Sequence, residues 1–423
     1  MRLPRVLFTR LPTDTRYPFA GQLPFSDSMP RPARTSLRNI ETNVSLTENT
    51  GNMLIGESLG RILELDRLRS CRLNLTRLLA LGWSAEHIRD EIHKHFDLVV
   101  FLMANAIRED FDLGDLADAV SALETDFMVF GIGMQDSLPP TLSTLPEGSQ
   151  RLLHLFDKKA LIFGVRGKET ENWLHKVGLN RAKALGCPSL YVYPQNLLAV
   201  APPSESSTAT AIASGHLTNP SPRSRKLISL FRDTKSHYIM QDELLAVARA
   251  CKGDERLYND ATGRVRTELC KPVLERILGS KIPFDNFWYF QNLDAWRVFC
   301  AQADFYLGDR FHGGIVAMQA GIPSIFIWND QRARELTDFF ALPNICVSDI
   351  GDAQAHDLAD HLLTTQAFTE FRATYRQRLA IFERTLGEHG IRMDIDSRYS
   401  TSKKYNMRQI VPKAYQKLFR GFH

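Results

Sequence analysis

The sequence predicts an α/β protein of two Rossmann-like domains, each on a parallel sheet, with the active site in the cleft between them. Three observations carry this. The chain has 423 residues, too many for one ordinary hydrophobic core. Short, uninterrupted apolar runs recur between turn residues, as expected of strands buried on both faces in a helix-covered parallel sheet. Those runs alternate with segments of helical period on both sides of a Pro/Ser-rich stretch.

Residues 1–48 read as an irregular arm, within which Arg5–Phe8 has the makings of a short strand. The polar turn Asn49–Asn52 introduces a helix, with Ile55, Leu59 and Ile62 at helical spacing. Leu73–Lys94 offers more helix, broken near Gly82. Asp97–Met103, Phe127–Gly133 and Ala160–Arg166 then read as buried strands, followed by a helix over Thr170–Val177 and a turn at Gly186–Ser189.

The N-terminal Rossmann-like domain therefore spans 49–195, and residues 196–224, with Pro202, Pro203, Pro220 and Pro222, form a linker. A C-terminal Rossmann-like domain follows over 225–365. Its expected strands are Arg225–Phe231, Arg256–Tyr258, Asp304–Leu307 and Pro323–Trp328. Its expected helices are Asp242–Cys251, Pro272–Leu278, Leu293–Ala301, one from about Gly313, and Glu335–Phe340. Over 366–423 a helix with an apolar stripe (Phe368, Phe371, Tyr375, Leu379, Phe382, Leu386) leads into a basic tail.

Composition narrows the function classes. Lys and Arg number 52 against 48 Asp and Glu, an excess of four with no dense basic block, which argues against a nucleic-acid partner. The six cysteines, Cys71, Cys187, Cys251, Cys270, Cys300 and Cys346, are dispersed without zinc-type spacing, so free thiols and no metal are expected. The longest apolar run, Leu98–Ala104, is far shorter than the roughly 20 residues of a transmembrane helix, and no signal peptide is evident. The expected location is the cytoplasm, with at most a peripheral attachment to a membrane.

Chemistry is expected where parallel strands end, since ligands bind outside their C-terminal edges. Three such ends stand out. The first is Gly131-Ile132-Gly133-Met134-Gln135, whose glycines allow close backbone approach to a donor ligand or form a plain tight turn. The second is Arg166, where a five-donor fork either faces the cleft or pairs with Glu169 or a surface acid. The third and strongest is Gly308-Asp309-Arg310-Phe311-His312-Gly313-Gly314. In extended backbone Arg310 and His312 share a face, and Gly313 and Gly314 leave the next helix N-terminus open to an anion. The bland alternative is a structural His beside an Arg paired to Asp309. Further along, Asp330 reads first as a helix cap, while Arg332 or Arg334 can face the cleft; Asn49 and Asn52 complete the candidates.

Together these motifs resemble the polysaccharide pyruvyl transferase family. The resemblance rests on Asn49–Asn52, Gly131–Gln135, Arg166–Thr170, Gly186–Leu190, Arg310–Gly313, Gly321–Pro323 and Asp330–Leu336, between about Asn49 and Pro343. It implies a glycosyltransferase-B-like fold and transfer of a pyruvyl group from phosphoenolpyruvate to two hydroxyls of a sugar, giving a cyclic ketal. The acceptor would be a polysaccharide, glycan or lipid-linked precursor, and phosphoenolpyruvate is a co-substrate, with no cofactor. The resemblance also implies that Arg310, His312 and Arg166 bind the donor or act in catalysis. Two other readings are a nucleotide-sugar-dependent glycosyltransferase and a non-catalytic carbohydrate- or anion-binding protein of the same fold.

Overall fold

A computed structural model describes residues 2–11, 37, 49–80, 82–204, 209–259 and 261–400. Two sheets organise it. The first holds β1 (Val6–Arg10), β2 (Cys71–Arg72), β3 (Leu98–Leu102), β4 (Phe127–Ile132), β5 (Ile162–Val165) and β6 (Ala182–Ala184), in the order β2-β1-β3-β4-β5-β6 with every pair parallel. Strands β3, β4 and β5 are buried along their whole length, as their unbroken apolar sequence requires.

The second sheet holds β7 (Ala211–Ser214), β8 (Ser236–Met240), β9 (Tyr258–Asn259), β10 (Arg264–Val265), β11 (Asn286–Tyr289), β12 (Phe305–Gly308), β13 (Ser324–Trp328) and β14 (Asn344–Cys346). Its order is β14-β13-β12-β7-β8-β11-β10-β9, parallel except where β10 pairs with β11 and β9. The two-domain parallel architecture is as expected from sequence.

Several boundaries differ. The arm expected over 1–48 contains β1, which lies between β2 and β3, so the first sheet begins at residue 6. The linker expected over 196–224 contains β7, placed between β12 and β8. The sequence of β7, Ala-Ile-Ala-Ser, is too small and short to give a periodic signal, yet tertiary packing buries all four residues. Arg225–Phe231 lies mostly in a helix, Pro222–Leu230, and not in a strand. Ser221 caps it through a capping box with Ser224, and Pro222 starts it. Leu227 and Leu230 are its buried face, three residues apart. Arg256–Tyr258 is mainly a short 3₁₀ turn, Glu255–Leu257, feeding the two-residue β9. Most of the arm and the tail beyond 400 lie outside the described residues.

The helix Thr365–Gly387 ties the halves together. It follows the second sheet in sequence, yet Phe382 stacks on Tyr191 at 4.0 Å and tilts against Phe130 of β4 at 5.5 Å. The Tyr375 hydroxyl donates to the Leu190 carbonyl at 2.7 Å, and Lys183 Nζ of β6 to Thr385 Oγ1 at 2.8 Å. The apolar stripe expected over Phe368–Leu386 is thus a packing face, and part of it covers the first domain. No helix among the described residues is long and apolar enough to cross a membrane.

The helix Gln331–Phe340 of the second domain also packs against the first. Gly186 takes a left-handed backbone, φ +79°, and a Cβ there would lie 2.4 Å from Phe340 Cζ and 3.0 Å from Phe339 Cε1. Gly186→Ala is expected to cost about 1–3 kcal/mol, because backbone and ring would both have to move. Denaturant unfolding reads this, and an unchanged midpoint would show that the contact yields freely.

Candidate active site

Local sequence places one positive side chain, Arg166, where it has no ion pair among the described residues. Arg166 follows β5, and its backbone N–H donates to the Ile132 carbonyl at 2.9 Å, so it leaves the sheet at the strand's C-terminal edge. Gly133 faces it: a Cβ on Gly133 would stand 3.0 Å from Arg166 Cβ and 3.1 Å from its Cδ. Arg166 is 2% exposed, and among the described residues its guanidinium makes no ion pair or hydrogen bond, with Nε buried and unsatisfied. Burial pulls its pKa down to about 10, with Arg332 pushing the same way and Cys187 and Glu335 opposing.

His312 lies beside it. The helix Phe311–Gln319 starts one residue earlier, and a Cβ on Gly51 of the other domain would come within 3.0 Å of His312 Cβ. His312 Nε2 is 3.5 Å from Cys187 Sγ, which in turn is 3.1 Å from Ser189 Oγ. Burial, then Arg166, then Arg332 depress the imidazole to about 3, so it is neutral near pH 7. Cys187 is wholly buried, and its thiol is pushed up by that burial against the pull of Arg166 and Ser189.

The rim is shared by both domains. Glu335 accepts from the Thr170 N–H at 2.6 Å and from the Thr170 hydroxyl at 2.9 Å, capping the helix Lys168–Lys176 from the other domain. Gly167, the residue before that helix, has no Cβ to collide with Glu335 Cγ, which would lie 2.4 Å away. Burial raises the Glu335 carboxyl, opposed by the two Thr170 hydrogen bonds and by Arg166. Asp330 caps its own helix through Ala333 N–H at 2.8 Å, and holds Arg332 at 3.1 Å. The cap expected of Asp330 is therefore present, and Arg332 lies close enough to influence both Arg166 and His312.

Arg310 and His312 do not share a face. Arg310 is the N-cap residue and His312 the second residue of the helix, so the extended geometry that would align them ends between them. Arg310 Nε donates to the Gly215 carbonyl at 2.8 Å, and its guanidinium pairs with Asp242. Burial opposes its charge, but Glu243, Asp242 and Asp309 outweigh it and raise the pKa. Asp309 in turn pairs with Arg223 and lies 3.2 Å from His216 Nδ1; these partners keep its pKa low despite burial. In this geometry Arg310 belongs to an internally balanced cluster, apart from the uncompensated charge at Arg166.

The glycines also answer to packing. Gly131 sits at φ +77°, where a Cβ would meet the Met103 carbonyl at 2.9 Å. The N–H groups of Gly133 and Gln135 are spent on the Ala104 and Ile107 carbonyls, at 3.1 and 3.2 Å, and the Gln135 side chain accepts from Asn105. No helix starts there, so the open backbone donors expected after β4 are not formed. Gly313 and Gly314 give the helix room against the sheet, since Cβ atoms would meet Tyr306 Oη at 2.8 Å and Phe326 Cε1 at 2.4 Å. Asn49 caps the helix Thr50–Ile62 by accepting from Gly51 N–H at 2.9 Å, and half-buried Asn52 donates its N–H to the Asn49 carbonyl at 3.0 Å.

Cys187 and Glu335 lie within longer motifs of the sequence, which assigns neither a role. Glu335 carried a readable signal: an acid four residues before Phe339, on the buried face of its helix. Cys187 carried none beyond its place beside Pro188. Among the described residues no group of three or more His, Cys, Asp or Glu is placed to hold a metal ion.

A family model described as polysaccharide pyruvyl transferase matches residues 49–331. No curated protein matches the chain in sequence. Among solved structures the chain is similar to HepE of Anabaena, described in complex with UDP and glucose. The two share 12% identity at a TM-score of 0.46, over 91% of this chain and 99% of that one. It is also similar to UDP-GlcNAc 2-epimerase from Methanocaldococcus jannaschii, at 13% identity and a TM-score of 0.43, over 90% and 99% of the chains.

Proposed function

The chain belongs to the polysaccharide pyruvyl transferase family, and on that premise we propose that it moves a pyruvyl group from phosphoenolpyruvate to two hydroxyls of a sugar in a polysaccharide, glycan or lipid-linked precursor. The observation that supports this reading is Arg166, a buried guanidinium with no partner among the described residues, close enough to His312 for its charge to act on the ring. A buried unpaired cation is costly, and an anionic ligand relieves that cost. Phosphoenolpyruvate brings a carboxylate and a phosphate close together, suited to the Arg166 fork with Arg332 nearby.

The step balances without a cofactor. A proton adds to the methylene carbon of phosphoenolpyruvate and leaves an oxocarbenium-like centre at the carbon bearing the phosphate. One sugar hydroxyl adds to that carbon and loses its proton. Phosphate then departs with the C–O bond electrons, and the second hydroxyl adds to the oxocarbenium carbon so formed and gives up its proton to the departing phosphate or solvent, closing the ketal. His312 is the assigned proton donor. Its imidazole is neutral in the free protein, so the ligand's negative charge must first raise its pKa.

That requirement is measurable. In the free protein the His312 resonances should stay those of a neutral ring down to about pH 5; with saturating phosphoenolpyruvate the midpoint should rise by about three units or more, into the range where the ring is substantially protonated near neutral pH. A group neutral when free and protonated when bound takes up a proton on binding. Affinity should therefore tighten as pH falls between the two midpoints, and a midpoint unmoved by ligand would remove His312 as the acid.

The reaction itself is tested by phosphate release from phosphoenolpyruvate against a panel of glycans and lipid-linked sugars. Release that depends on an acceptor and disappears in His312→Ala is expected. No release with any acceptor, together with tight binding of a nucleotide sugar, would favour the glycosyltransferase reading instead.

A further inference from the structure

We propose that Cys187 is a positioning residue that holds His312 in one tautomer, with the proton on Nδ1 and turned to the substrate. The proposal rests on the proton-donor role assigned to His312 above. Cys187 Sγ stands 3.5 Å from His312 Nε2 and 3.1 Å from Ser189 Oγ, within a wholly buried Cys-Pro-Ser turn. One internal hydrogen bond and two from neighbours fix that turn. Leu190 N–H donates to the Cys187 carbonyl at 3.1 Å, Gln319 Nε2 to the Ser189 carbonyl at 2.8 Å, and the Tyr375 hydroxyl to the Leu190 carbonyl at 2.7 Å. Gln319 lies on the same helix as His312, so thiol and imidazole are held in register across the domain boundary.

The direction of the hydrogen bond follows from the chemistry. A neutral imidazole has one N–H and one lone pair. Among the described residues Nδ1 has no hydrogen-bond partner, whereas Nε2 has the thiol. Were Nε2 the protonated nitrogen, Nδ1 would offer a lone pair to an anion drawn in by Arg166 and Arg332, which is repulsive. With the Cys187 S–H donating to Nε2 and the Ser189 hydroxyl donating to sulfur, Nδ1 carries the proton and can donate to that anion. When the ring becomes doubly protonated, the contact reverses: Nε2–H donates to sulfur and the thiol proton turns to Ser189 Oγ. A thiol or hydroxyl can serve both states. A methyl group can serve neither.

The test is nitrogen-15 NMR of the full-length chain labelled at histidine, which reports the tautomer of His312 directly. The native protein is expected to show the Nδ1–H form. Cys187→Ala should move His312 toward the Nε2–H form and lower kcat roughly 10–100-fold with little change in KM for phosphoenolpyruvate, the range typical of partners that orient an imidazole. Cys187→Ser should restore both the tautomer and most of kcat. A native Nε2–H tautomer overturns the proposal whether or not any variant folds, and so does an unchanged tautomer in Cys187→Ala. The NMR result stands apart from turnover: an Nδ1–H ring that moves in Cys187→Ala supports the positioning role even where native protein releases no phosphate, an outcome that counts against the transferase reading alone.

Discussion

Arg166→Ala should lower kcat/KM for phosphoenolpyruvate by about 10²–10³-fold while leaving the protein as stable as before, or more so. The two halves have one cause. In the free protein the guanidinium is buried without an ion pair among the described residues, so its removal deletes a desolvation cost and no favourable contact beyond stem packing. In the proposed complex the same group makes charge-assisted hydrogen bonds to the donor, and those are lost. Arg166→Lys keeps the charge without the planar fork, so it should recover stability-neutral behaviour but only part of the activity. Steady-state kinetics beside denaturant unfolding checks this. A variant that loses stability and activity together would mean Arg166 is structural.

The opposite pattern is expected at the buried ion network between the domains. Glu57 and Arg297, on helices of different domains, are both fully buried and ion-paired. Arg297 also reaches Asp294 at 2.8 Å and Gln319 Oε1 at 2.8 Å, while Arg61 bridges Glu57 at 2.6 Å and Asp294 at 3.1 Å. Tyr193 closes the set, accepting from Arg61 at 2.9 Å with its ring 5.1 Å from the Arg297 guanidinium. Glu57→Ala removes the fully buried one of the two acids that Arg61 and Arg297 share, leaving only part-exposed Asp294 between them, at an expected cost of about 3–5 kcal/mol. Replacing Glu57 and Arg297 together with apolar residues of similar volume should recover most of that loss, as a double-mutant cycle would read. Equal losses in the single and double variants would mean that packing around the pair, and not the charges, holds the domains together.

Much of the fold was readable because its physics is local. Strands β3, β4, β5 and β12 are buried along their whole length, and β13 over all but its last residue, so they read as largely apolar runs. The last long helix shows its stripe at steps of three and four. Strands β7, β8 and β11 give no such signal, because Ala-Ile-Ala-Ser, Ser-His-Tyr-Ile-Met and Asn-Phe-Trp-Tyr mix small, polar and aromatic residues. Their neighbours in the sheet, and not their own periodicity, make them strands.

The candidate site divides the same way. That Arg166 and His312 stand just past strand ends follows from residue order alone, since a parallel strand delivers the residues after it to one edge. Which charges remain uncompensated there does not. Arg310 is as cationic as Arg166 in sequence, but the fold gives it Asp242 and surrounds it with Glu243 and Asp309, whereas it gives Arg166 only burial and the pull of more distant acids. Charge balance depends on partners dozens of residues away, such as Asp242 for Arg310 or Glu335 for Thr170, and only tertiary contact decides them.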